Sequence, residues 1–100
     1  MVRHVILWVL RDQYSGVEVD SIKAGVKEGL EGLKGKIPGL IDIKVNTNPL
    51  SSSNCDLMLD STFEDEASLN GYSVNPLHVG VANEKVRPFM ASRVCMDYEV

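Results

Sequence analysis

Cysteine is scarce in this chain of 100 residues, surplus positive charge is absent, and long apolar runs do not occur. Each shortage closes off a class of function. Cys55 and Cys95 are the only cysteines and form no C-x-x-C pair, so the sequence carries neither a zinc knuckle nor a dithiol redox motif. Ten Lys and Arg against fourteen Asp and Glu leave a net charge of −4, with no basic face to offset phosphates, which excludes nucleic acid as a partner. No stretch approaches the ~20 apolar residues that span a membrane. The opening "MVRHVILWVL" joins a basic residue to an apolar run, but the run is shorter than a signal-peptide core and "RDQYSG" offers no small-residue cleavage site. Both thiols are therefore expected to be reduced, in a cytoplasmic protein. Two histidines without ligand spacing predict no metal site, and nothing in the sequence calls for a cofactor.

What is present describes one domain over residues 1–100. Hydrophobic content of 44% and charged content of 24% are those of an ordinary globular chain. Arg3–Leu10 is apolar without alternation, the pattern of a strand buried on both faces. A helix is predicted from Val17 to Lys34, with Ile22, Val26, Leu30 and Leu33 on one stripe. Gly25, Gly29 and Gly32 each cost roughly 1 kcal/mol inside a helix, so this helix needs a sheet to hold it; close backbone approach explains them better than a nucleotide loop. After "GKIPGL", Leu40–Asn46 alternates, with Ile41, Ile43 and Val45 on one face and Asp42 and Lys44 on the other. A turn-rich loop, Thr47–Asn54, precedes a third strand, Asp56–Phe63, with Leu57, Leu59 and Phe63 inward and Asp56, Asp60 and Thr62 outward.

"EDEASLNGY" reads as a short helix with its acids at the positive end of the helix dipole. Asn75 then suits an N-cap and Pro76 a first helical position, so a new helix runs to about Val86 or Arg87. The last strand, Ser92–Val100, puts Val94, Met96, Tyr98 and Val100 on one face and Arg93, Cys95, Asp97 and Glu99 on the other. The order β-α-β-β-α(α)-β gives an α+β, ferredoxin-like split βαβ fold, a four-stranded antiparallel sheet with helices on one face. Helices cover only one face of such a sheet, yet the central first strand is apolar on both. A second copy covering the bare face, as a homodimer, is the expected solution; the loop Thr47–Asn54 folding over it is the alternative.

Together "RHVILWVL", "LKGKIPGL", "TFEDEASLNGY" leading into "NPLHVGV", and the ending "MDYEV" resemble the stress-responsive A/B barrel family, also called Dabb domains, over nearly the whole length. The resemblance implies ferredoxin-like protomers that dimerise into an α+β barrel. One plant member of the family cyclises a polyketide by aldol chemistry using a tyrosine and a histidine. By resemblance these fall on Tyr72 and His78, and a further pocket histidine falls on His4. Two positions depart from that pattern: Asn75 stands where H-P-x-H has its first histidine, and Leu57 where the cyclase has one on strand three.

The residues themselves give His78 two readings. Third after the cap, near the positive end of its helix, it should stay neutral and able to accept a proton. Its stripe, with Ala82, Val86 and Phe89, points inward. Paired with the Tyr72 phenol it suits enolisation or aldol chemistry; alternatively it is a buried structural residue bonded to Tyr72 or to backbone. Three functions follow. The leading one is a small-molecule-binding domain for an apolar, phenolic or polyketide-like ligand, with His4, Trp8 and Phe89 bounding the pocket and possible cyclase- or lyase-type chemistry at Tyr72 and His78. The others are a non-catalytic stress or assembly protein and a cofactor-independent monooxygenase.

Overall fold

The computed structural model describes all residues, 1–100. Strand β1 (Val2–Leu10) lies between β3 (Leu57–Phe63) and β4 (Met90–Glu99), and β2 (Leu40–Asn46) forms the edge beyond β3. All neighbours pair antiparallel. This is the ferredoxin-like arrangement expected from the element order. One face carries helices α1 (Gly16–Glu31), α2 (Glu66–Val74) and α3 (Pro76–Val81).

Local chemistry sets the ends of these elements. Ser15 and Glu18 form a reciprocal capping box, so α1 starts one residue earlier than the periodicity predicts. It also ends at Glu31 rather than Lys34, because the chain tightens into turns through Gly32 and Gly35, the latter at φ 81°. Leu33 is buried just beyond the helix, together with Val26 and Leu30. Burying Val26 and Leu30 contributes about 3–6 kcal/mol. That exceeds the roughly 2 kcal/mol cost of Gly25 and Gly29 in the same helix. Packing holds α1, not propensity. Gly29 also permits the close approach expected of it, since a Cβ there would lie 2.9 Å from Val81 Cγ1 on α3.

The β2 alternation is broken by an extra residue. Leu40 pairs with Phe63 and Asp42 with Thr62, so Ile41 is bulged outward and is 41% exposed, while Leu40, Ile43 and Val45 face the core. The expectation that Ile41 shares the inner face with Ile43 and Val45 is thus corrected. Asp56 also differs from the solvated role expected of it. It precedes β3, and its carboxylate accepts the Leu10 N–H at 2.8 Å. The final strand begins at Met90, two residues early, and ends at Glu99.

Two faces of the sheet differ sharply. Ile6, Trp8, Leu10, Leu57, Leu59 and Phe63 are buried beneath the helices. On the other face β1 pairs Leu7 with Val94 and Val5 with Met96; Val94 and Met96 are 63% and 67% exposed, and Leu7 and Tyr98 are also open. The loop carrying Leu50 does not cover this face, as Leu50 itself is exposed. No helix is long and apolar enough to cross a membrane.

Candidate functional site

The segment "YSVNPLHVG" folds as two helices meeting at a corner. Asn75 closes α2 with its N–H on the Tyr72 carbonyl and caps α3 by accepting the Leu77 N–H at 3.0 Å. Pro76 occupies the first turn of α3, where its missing N–H costs nothing. The corner brings His78 back over Tyr72, with ring centroids 4.0 Å apart and planes inclined by 32°. Below them β1 supplies His4, edge-on to Tyr72 at 6.1 Å, and Phe63 packs edge-on to Tyr72 at 5.0 Å.

These rings close one end of a pocket of about 370 Å³ between the sheet and the helices. Ile6, Trp8 and Leu59 form its floor, Leu30, Val86 and Met90 its apolar wall, and Arg87 and Arg93 its exposed polar side. His4, Trp8, Tyr72 and His78 are therefore brought together. Phe89 is not. It lies outside the pocket and stacks edge-on with Tyr14 at 6.0 Å. The reason is a change of helical pitch. After α3 the chain makes a π turn, Ala82–Val86, in which the Arg87 N–H reaches the Ala82 carbonyl, and then a 3₁₀ turn, Arg87–Phe89. Ala82 and Val86 keep the His78 stripe, but the extra residue in the turn rotates Phe89 out of phase.

Buried polar atoms in proteins almost always have partners. Two at this end of the pocket do not: Tyr72 Oη and His78 Nδ1. Neither residue bonds to the other, and the His78 ring stacks on Tyr72 instead. Burial raises the Tyr72 phenol well above its ordinary value, so it stays protonated. Burial likewise pushes His78 below the ordinary imidazole value, with the charges of Arg87, His4 and Arg93 adding to the effect and the Ser73 backbone opposing it. The direction is the one expected for His78, but burial rather than the helix end leads. At neutral pH the pocket thus holds a phenolic donor beside a neutral imidazole.

Asp97 is absent from the sequence-derived site. The β1–β4 register sets it opposite His4, and its carboxylate bonds to His4 Nδ1. His4 Nε2 has no partner in the chain and is not among the buried unpaired atoms, which leaves it open to the pocket that His4 lines. Cys95 Sγ lies 3.7 Å from His4 Nδ1 and 3.6 Å from Asp97 Oδ1, and burial and the Asp97 charge push its thiol up. The β4 alternation does put Cys95 and Asp97 on one face, but only the strand register reveals that this face meets His4. The Ser61 hydroxyl, itself buried, donates to the His4 carbonyl at 2.9 Å and steadies the strand from the other side.

Among proteins of curated function none matches the chain. A dimeric protein of unknown function with a ferredoxin-like fold from Bacteroides fragilis is similar at 29% identity and a TM-score of 0.91, over 99% of this chain and 95% of that one. A dimeric ferredoxin-like protein of unknown function from Thermobifida fusca shares 20% identity at a TM-score of 0.79, over 99% and 90%. The hydroxynitrile lyase of Passiflora edulis shares 22% identity at a TM-score of 0.72, over 97% and 90%, a likeness of fold. The stress responsive A/B barrel domain matches residues 2–100, so by sequence and by architecture this chain belongs to the Dabb family.

Proposed function

We propose that this protein binds a small carbonyl compound with an apolar or phenolic body and moves a proton on the carbon beside the carbonyl, as cyclases and lyases of aldol type do. One observation carries the reading: Tyr72 and His78 line the same pocket, and each holds a buried polar atom, Tyr72 Oη and His78 Nδ1, that has no partner. Each orphaned group costs about 1–3 kcal/mol in the folded protein. In this mechanism neutral His78 accepts the α-proton, and the electron pair left on carbon moves into the carbonyl. The Tyr72 hydroxyl donates its hydrogen bond to the developing enolate oxygen. The nucleophilic carbon then attacks a second carbonyl, or the reverse step cleaves a carbon–carbon bond, and His78 returns its proton. Apolar walls at Trp8 and Leu59 suit the ligand body, and Arg87 and Arg93 suit an anionic oxygen on it. The likeness to a hydroxynitrile lyase supports a lyase-type reaction on this fold.

The protein acts as a homodimer in this reading. The exposed apolar stripe of Leu7, Val94 and Met96 supports it, as do the dimeric relatives. Two free thiols support a reducing, cytoplasmic setting. A purely structural protein would have no reason to keep two unpaired polar atoms beside an open pocket, which disfavours the non-catalytic alternative. The test is proton exchange in heavy water, followed by proton NMR, on a panel of aryl ketones and β-diketones. The wild type should exchange α-hydrogens above the buffer rate on at least one, and His78→Gln and Tyr72→Phe should each slow this about 10²–10⁴-fold. Exchange no faster than buffer across the panel, with no bound mass in native mass spectrometry, overturns the reading.

A further inference from the structure

We propose that His4, Cys95 and Asp97 form a zinc site beside the pocket, which His4 alone of the three lines; the spacing of these residues along the chain carries no sign of it. The three donors come from opposite ends of the chain and meet only because β1 and β4 pair. His4 stands opposite Asp97, and Cys95 opposite Ile6, two residues along on the same face. Their donor atoms, His4 Nδ1, Cys95 Sγ and an Asp97 oxygen, all lie within 4.8 Å of one another.

Two features favour a ligand set over other uses of these residues. First, the thiol and the carboxylate approach the same ring nitrogen, Nδ1. In a nucleophile relay they would occupy opposite nitrogens, so Cys95 is not a triad nucleophile. Second, two of the three donor–donor distances fit. Tetrahedral zinc with Zn–S near 2.3 Å and Zn–N or Zn–O near 2.1 Å places S···N and S···O at about 3.6 Å. Here they are 3.7 and 3.6 Å. The remaining edge, the His4–Asp97 hydrogen bond, opens as the ion takes the place of the shared proton. A thiolate, an imidazole and a carboxylate together select zinc over magnesium or calcium. Asp97 is substantially exposed, so the fourth position opens to water or to a ligand atom.

The site would also change what His4 offers the pocket. When Nδ1 donates to Asp97, Nε2 is an acceptor; when Nδ1 binds zinc, Nε2 keeps the proton and becomes a donor. The metal site stands independently of the proposed reaction, and its test uses no substrate. Cobalt(II), as a spectroscopic stand-in for zinc, is titrated into the reduced full-length protein after treatment with chelator. The expected result is one ion per chain, with a near-ultraviolet thiolate-to-cobalt band, strong visible bands of tetrahedral cobalt, and displacement of both by zinc. Cys95→Ser should abolish the near-ultraviolet band, Asp97→Asn should weaken affinity by about tenfold or more, and Cys55→Ser should change neither. Circular dichroism checks that each variant is folded; Cys95 and Asp97 sit on the edge strand β4. Absence of the band in the wild type, its loss on Cys55→Ser, or its survival in Cys95→Ser overturns the proposal.

Discussion

Removing one oxygen atom from Tyr72 should make the protein more stable and less able to act. Tyr72 is 1% exposed and its hydroxyl has no partner, so folding strips water from that group without replacing the lost hydrogen bonds. Such a group costs about 1–3 kcal/mol. Tyr72→Phe keeps the ring, and with it the edge contacts to Phe63 and His4, while deleting the cost. Against this stands a small loss of packing around the vacated oxygen, a few tenths of a kcal/mol by the cavity scale for a void smaller than a methyl group. The net change is therefore a gain of about 1 kcal/mol. For a domain of this size that raises Tm by roughly 4–8 °C. The measurement is thermal melting by circular dichroism, at one fixed protein concentration because dimerisation would shift Tm by mass action. Urea titration should show a higher midpoint at unchanged slope. A Phe variant that loses 1 kcal/mol or more would show that the hydroxyl is bonded in the folded protein. Tyr72 would then be a structural residue, and the case for a functional phenol would fail.

Two further outcomes follow from other parts of the molecule. His78 has a folded-state pKa below its ordinary 6.5, burial first among the causes. As pH falls through about 6.5 the unfolded chain takes up a proton that the folded chain still refuses, so stability should decline with falling pH in that window. His78→Gln should flatten this part of a urea-midpoint profile; an unaltered profile would show that another group sets it. On the outer face, Val94→Asp places a charge opposite Leu7, in the middle of the bare apolar stripe. Light scattering should find the wild type at twice the chain mass of 11.0 kDa and the variant at the chain mass, and a variant that stays dimeric would locate the interface elsewhere.

Legibility differed by the kind of signal. The apolar run of β1, the α1 stripe and the Asn75–Pro76 boundary are local patterns, and each became the element it predicts. Where a pattern had one residue too many, local reading failed. The bulge at Ile41 and the π turn at Ala82–Val86 each insert a residue whose cost tertiary packing absorbs, and each turned a side chain, Ile41 or Phe89, away from its predicted side. In the pocket, Tyr72 and His78 were readable because they are six residues apart around a recognisable helix boundary. Asp97 was not, since nothing near it in the chain marks it as more than one acid on an alternating edge strand.

Thus the amino-acid order alone determined the elements, the ferredoxin-like topology and an apolar surplus on β1 that one layer of helices cannot cover. Those properties depend on periodicity and handedness, which act over neighbouring residues. The tertiary structure alone decided that His4 meets Asp97 and Cys95, that Tyr72 and His78 share a pocket with unpaired polar atoms, and that Phe89 does not join them. Register between strands far apart in sequence, and the exact pitch of one helical turn, set those meetings. Both arise from how the whole core packs, and no short stretch of sequence encodes them.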